Sequence, residues 1–354
     1  MSTFVIGYYA LLIGASCLAA YYKQRNIFIL IFSLTLASFV MGIIGGVPAL
    51  RFVTTAAGIL ALAAGTSYAF REFLIIITPE GVAKELRTAP LTASFGMFVI
   101  FTYAIAGIFA PVIAPHGEAE VISSAFAPAD ENMLLGADQL GRDMFSRIIY
   151  GARNSVGLAL LATMLAFVMG ALAGLLAATK GGWFDQFMGR FADVIMSVPS
   201  LIFSLLMLSI FGTNLGVIVI VVAIIYAPRV FRLTRAVAGN VVVMDYIEAA
   251  KLRGEGTWYL IRKEILPNST APLIAEFGLE FCFVFLLIAG LSFLGLGIQP
   301  PTADWGSMVR ENATLISFGE MTPLIPAAAI ALLTVAVNFV VDWMLFRSSG
   351  LKEM

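Results

Sequence analysis

Ionisable residues inside long apolar runs are the first place to look for chemistry in this chain of 354 residues. Glu276 and Glu280 stand four apart in the run from 272 to 296, so a helix places both carboxyls on one face. Asp193 begins an earlier run and Asp342 lies near the end of the last. A carboxylate in hydrocarbon is costly unless it meets a pathway, water or a cation, so this set could relay protons or line a solute path. Contact with water and Lys or Arg neighbours at a membrane face explains Asp193 and Asp342 better, and Glu276 and Glu280 equally well. Other chemistry is ruled out by count. His116 is the sole histidine, and Cys17 and Cys282 sit in apolar runs as small packed hydrophobes, leaving no metal cluster, disulfide framework or histidine triad. No Gly-x-x-x-x-Gly-Lys-Ser/Thr loop occurs, so no catalytic residue and no cofactor are expected in this chain.

Composition fixes the solvent. The chain is 60% hydrophobic and 12% charged, about half the roughly 25% charge of soluble domains. A net charge of −1 offers no basic excess to attract nucleic acid. Nine stretches are long and apolar enough to cross a bilayer as helices: 4–22, 27–48, 52–70, 91–113, 154–178, 192–211, 214–236, 272–296 and 323–346. The first lacks a basic start and a small-residue cleavage site, so it reads as a span rather than a signal peptide. An all-α, multi-pass membrane protein is the fold class. Placing the N-terminus outside and the C-terminus in the cytoplasm leaves sixteen Lys and Arg on the inner side against five outside, which sets the orientation. Gly170–Gly174 reads as a site of close helix packing rather than ligand binding.

Two connections are too long to be simple turns. The outer segment 114–153 carries a charged block, Asp138 to Arg147, and the inner segment 237–271 carries mixed charge, three glycines and Pro267. Within the inner segment, helical spacing of Tyr246, Ala249, Ala250 and Arg253 predicts a short helix broken by Gly254 and Gly256. A second short helix follows over 259–266 and ends at Pro267. A third segment, 71–90, reads as a linker with a short interfacial helix.

Glu248-Ala249-Ala250, Gly254 and Ile265-Leu266-Pro267 resemble the EAA loop of permease subunits of ABC importers, with Glu264 where that family often has an apolar residue. Leu135-Gly136-Ala137-Asp138-Gln139-Leu140-Gly141-Arg142-Asp143 and the residues on to Arg153 are similar to the block before the permease core in the C-type subunit of dipeptide and oligopeptide importers. Leu291 to Pro301, with Asp304-Trp305-Gly306, is similar to the end of its penultimate helix and the outer loop beyond. The resemblance spans about residues 90–350 and implies a type I importer permease. A six-helix core over 91–346 would comprise a first core helix and outer segment at 91–153 and the permease core proper at 154–346, with 347–354 a cytoplasmic tail. Residues 1–90 would add three accessory helices that six-helix members lack.

The resemblance further implies that Glu248, Ala249, Ala250, Gly254, Leu266 and Pro267 couple to an ATPase subunit, with Glu248 bonding its groove and both alanines packing into it. Asp138, Gly141, Arg142 and Asp143 would serve an outer gate or a binding-protein contact, and Glu276 and Glu280 would be pathway candidates. The implied partners are a second homologous permease, two ATP-binding subunits carrying ATP and Mg, an extracytoplasmic substrate-binding protein and the bilayer of the cytoplasmic membrane. Peptides are the first-choice solute, with nickel chelates and oligosaccharides as alternatives. A proton-coupled carrier using Glu276, Glu280 and Asp342 is the rival reading.

Overall fold

The computed structural model describes residues 58–318 and 320–348, together with Leu12, Leu30, Ile31, Ser33 and Leu34. The predicted spans 4–22 and 27–48, the start of 52–70, and Cys17 lie outside the described residues. The chain divides into two compact units, residues 1–91 and 92–354.

In the first unit, α1 (Gly58–Ile77) is long and apolar enough to cross a membrane and extends seven residues past the predicted end at 70. It is followed by the amphipathic α2 (Glu80–Arg87), which starts behind Pro79 and buries Ala83 and Leu86. Pro79 is favourable there because the first helical turn leaves its amides unbonded.

The second unit supplies six spans. They are α3 (Leu91–Ile108); α5 (Met144–Gly151) running through a π turn into α6 (Gly157–Lys180); a bent pair, α7 (Gly182–Met196) and α8 (Ser200–Phe211); α9 (Leu215–Val242); α11 (Thr257–Tyr259), which leads through a second π turn into α12 (Leu266–Phe293); and α14 (Leu324–Ser348). Short helices α4 (Ala110–Ile113), α10 (Asp245–Leu252) and α13 (Trp305–Asn312) lie in the connections. No strand occurs among the described residues.

Two expectations need correction. The stretch 192–211 is not one straight span: α7 and α8 meet at 85° across Ser197–Pro199. Proline disfavours helical geometry in the residue before it, and Ser197 already closes α7 with its amide on Asp193 O. Pro267 does not end a helix. It lies in the first turn of α12, where its missing amide costs nothing, and the chain continues as helix to Phe293.

Packing centres on α6 and α9. A methyl built on Gly170 would overlap the Ala227 carbonyl, and one on Gly174 would stand 2.8 Å from Phe231 O, so these glycines let the two helices touch backbone to backbone. Gly170→Leu is therefore expected to push α6 off α9 and abolish recovery of monodisperse protein in detergent. Recovery at the wild-type level by size-exclusion chromatography would refute that role.

Candidate functional site

At the predicted inner end, α9 runs six residues beyond the expected limit at 236, and Met244 then leads into α10. Helix α10 is short, yet it is held at both ends. Asp245 and Glu248 sit in its first turn, where the helix dipole favours them. Gly254 adopts φ +86°, a conformation that costs an L side chain, and lets the Gly254 amide bond Lys251 O at 2.9 Å and the Glu255 amide bond Ala250 O at 3.2 Å. These two bonds satisfy the last carbonyls of α10 in a Schellman turn.

The helix has a clear inside and outside. Ile247 and Ala250, three apart, are fully buried against Leu175 of α6, Ala238 and Val241 of α9, and Leu260, Ile261 and Ile265 of the following π turn. The Ala250 side chain is thus spent on its own chain, and the expectation that it packs into a partner's groove is corrected by this burial. Glu248 and Ala249 are exposed, as are Leu266 and Pro267. Sequence reasoning missed the most exposed apolar side chain of this region: Leu252 is 85% exposed, and Val243, Met244, Tyr246 and Trp258 of the same segment are exposed as well. Only the 3.6-residue phase relative to Ile247 could have revealed it. An apolar surface beside charged residues at the end of a helical bundle marks a contact surface for a protein or a membrane.

At the predicted outer end, the two sequence blocks 135–153 and 291–306 meet. Trp305 is fully buried, its ring lies against Gly151, and its Nε1 donates to Ile148 O at 3.0 Å. Asp304 caps α13 through the Ser307 amide and accepts from Ser155 Oγ at 2.7 Å. Burial pushes the Asp304 carboxyl up from the usual carboxylate range, against the opposing pull of the Ser307 amide and the surrounding hydroxyls. Arg147, also fully buried, donates to Glu118 O at 2.8 Å and Pro301 O at 3.3 Å and faces Glu311. Arg142 pairs with Asp138 at 2.7 Å and Glu311 at 2.9 Å.

Asp138, Arg142 and Asp143 are each at most 2% exposed. Asp138 accepts from the Leu140 and Arg142 amides, and Asp143 caps α5 through the Phe145 and Ser146 amides. A methyl on Gly141, at φ +79°, would overlap the Ser123 carbonyl. The side chains expected to touch a binding protein are turned inward; they build the outer segment and do not present themselves to a partner.

Between the two ends lie the intramembrane charges. Glu280 is buried and faces Arg229 at 4.0 Å, while Glu276, one turn away, is half-buried. Arg229, Arg232 and Arg235 belong to the body of α9 rather than to its loop. Arg232 and Arg235 pair with Asp193 and Asp185 of α7, so Asp193 has its cation. Asp342 is exposed on α14. Cys282 is buried, as expected of a small packed hydrophobe. Among the described residues no group of His, Cys, Asp and Glu could hold a metal ion.

A helical core with a sharply bent span, buried charges and an exposed apolar surface past one end is the architecture of a membrane transport subunit. The chain belongs to the family of binding-protein-dependent transport system inner membrane components, which matches residues 166–348. It is 34% identical over 254 residues to the di/tripeptide transport system permease protein DppC of Pseudomonas aeruginosa, covering 70% of this chain and 84% of that one. It is 34% identical over 211 residues to the glutathione transport system permease protein GsiD of Pectobacterium atrosepticum, covering 59% and 69%. A crystal structure of an amino acid ABC transporter aligns with 58% of this chain and 94% of its own at 22% identity and a TM-score of 0.44. The protein is a multi-pass inner-membrane component of an ABC importer, a system that includes a binding protein and an ATPase. The proton-coupled carrier reading is not supported.

Proposed function

We propose that this chain forms half of the translocation pathway for short peptides in an ATP-driven importer and couples to an ATPase subunit through the exposed face of α10. The exposed face of α10 carries this reading: Leu252, Ala249 and Tyr246 point away from a helix that Ile247 and Ala250 anchor to α6 and α9. A rigid helix of this kind transmits a push from a soluble subunit to the spans. Glu248 supplies a polar contact at the rim of that surface, Gly254 fixes its end, and Leu266 and Pro267 extend it at the start of α12. The α10 end faces the cytoplasm, where Lys251, Arg253, Arg262 and Lys263 give it the positive excess expected of that side.

A second homologous permease completes the pathway, two ATP-binding subunits hold ATP and Mg, and an extracytoplasmic binding protein delivers the peptide. The Asp138–Arg142 segment serves the outer gate as a rigid part rather than as a side-chain contact. Glu276 and Glu280 face the pathway, and residues 1–90 are an accessory segment. The peptide assignment is supported by the relatives' substrates.

The test is to purify the tagged chain with its co-expressed importer subunits in mild detergent and reconstitute it in liposomes with the binding protein. Two ATPases and a second permease should copurify, and dialanine uptake should require ATP. A chain that purifies alone, or uptake indifferent to ATP, contradicts the proposal.

A further inference from the structure

The bend between α7 and α8 opens a cavity of about 300 Å³ lined by Met196, Pro199, Ser200, Tyr226, Arg229 and Phe283. That volume is at the lower end of the roughly 300–1,000 Å³ of small-molecule sites. Arg229 stands on its wall, fourteen residues into α9 from Leu215, about 21 Å along the helix axis. A guanidinium at that depth needs a reason to be there.

Its two neighbours on α9 have theirs. Arg232 and Arg235 each hydrogen-bond a carboxylate of α7. Arg229 differs. Among the described residues it contacts Glu280 Oε1 at 4.0 Å, beyond hydrogen-bond distance, and the ring faces of Phe283 at 4.7 Å and Tyr226 at 5.7 Å. The rings hold the guanidinium plane while its N–H groups remain open to the cavity. Behind it, the Glu280 side chain is 4% exposed and its Oε2 has no hydrogen-bond partner. Glu280 therefore balances the charge of Arg229 without consuming its donors.

We propose that this cavity is a station for the carboxylate end of the transported peptide, with Arg229 as the group that recognises it. The inference rests on the peptide-import reading above. A carboxylate entering beside the hinge meets a planar fork suited to two parallel N–H···O bonds. The hinge at Ser197–Pro199 then places the recognised group next to a break in a span, where a change in the bend angle alters access to the cavity.

The experiment uses the complete importer in liposomes with its binding protein, and compares uptake of dialanine and dialanine amide. Arg229→Gln should lower dialanine uptake about 10- to 100-fold, as loss of a charge-assisted hydrogen bond implies, and remove the preference for the free acid. Arg229→Lys, which keeps the charge but loses the fork, should fall between wild type and Arg229→Gln in rate and keep the preference for the free acid. Wild-type import of dialanine with an Arg229→Gln variant that matches it in rate and in preference overturns the station and leaves the import reading standing. A wild-type importer that moves no peptide overturns both. Failure of both variants to assemble assigns Arg229 to structure and overturns the station. Displacement of dialanine by inorganic phosphate as effectively as by dialanine itself, measured on the complex without binding protein, makes the site a general anion site and overturns the peptide assignment.

Discussion

Leu252→Asp is expected to cut ATP-dependent uptake at least about 30-fold, the effect of losing a hot-spot contact of about 2 kcal/mol, while membrane insertion and yield stay at the wild-type level. Leu252 is 85% exposed and touches no core cluster, so an aspartate there removes no packing from the isolated chain and costs it only about 0.3–1 kcal/mol at the helix C-terminus. The change acts mainly when α10 meets its partner. Gly254→Val should produce a similar loss by another route: at φ +86° a β-branched side chain is strained, and the two bonds that end α10 would open. Ala250→Phe behaves differently. Ala250 is buried against α6, α9 and the π turn, so a larger side chain overpacks the core by about 1–3 kcal/mol and lowers the yield of folded protein as well as uptake. Uptake measured per mole of purified complex separates the three variants, and a Leu252→Asp protein with wild-type uptake would remove α10 from the coupling path.

The second large effect concerns Arg147. Its guanidinium reaches Glu118 O, Pro301 O, Asp138 and Glu311, and so ties the outer segment, the loop before α13 and α13 itself. Arg147→Ala removes a buried cation, leaves Arg142 as the sole cation facing Asp138 and Glu311 among the described residues, and frees the Glu118 and Pro301 carbonyls, a loss of about 3 kcal/mol. The outer segment of the variant should become sensitive to limited proteolysis in membranes and its thermal midpoint in detergent should fall. Arg147→Lys should not restore it, because a lysine cannot reach four acceptors from one planar group. Wild-type protease resistance in Arg147→Ala would show that the segment is held without Arg147, by Trp305, Asp304 and the Arg142–Glu311 pair.

Most of the spans were legible because a bilayer demands about 20 apolar residues in a row. The exceptions have local causes. The run 192–211 is apolar throughout its second half, and hydropathy does not register that Val198 precedes a proline and must leave helical geometry. Arg229 falls inside the predicted span 214–236, but hydropathy gives no sign of its partners: α9 runs on to Val242 while Arg232 and Arg235 meet carboxylates of α7 and Arg229 faces Glu280 of α12. Hence the cavity beside Arg229 could not be read from the sequence. For α10, residue spacing located the helix and Gly254 its end, but Ala249 and Ala250 look alike in sequence while the first is exposed and the second buried in the fold. The charged block at 138–147 was legible as a unit. Its inward direction was not, since the groups it pairs with lie as far away as Glu311.

The most direct test of coupling is to place a photo-crosslinking benzophenone side chain at Leu252 and irradiate membranes containing the assembled importer, with the adduct identified by mass spectrometry. The account predicts one dominant adduct to the ATPase subunit, whose yield changes when ATP and a non-hydrolysable analogue are exchanged. Adducts to lipid alone, or to no other polypeptide, would contradict it.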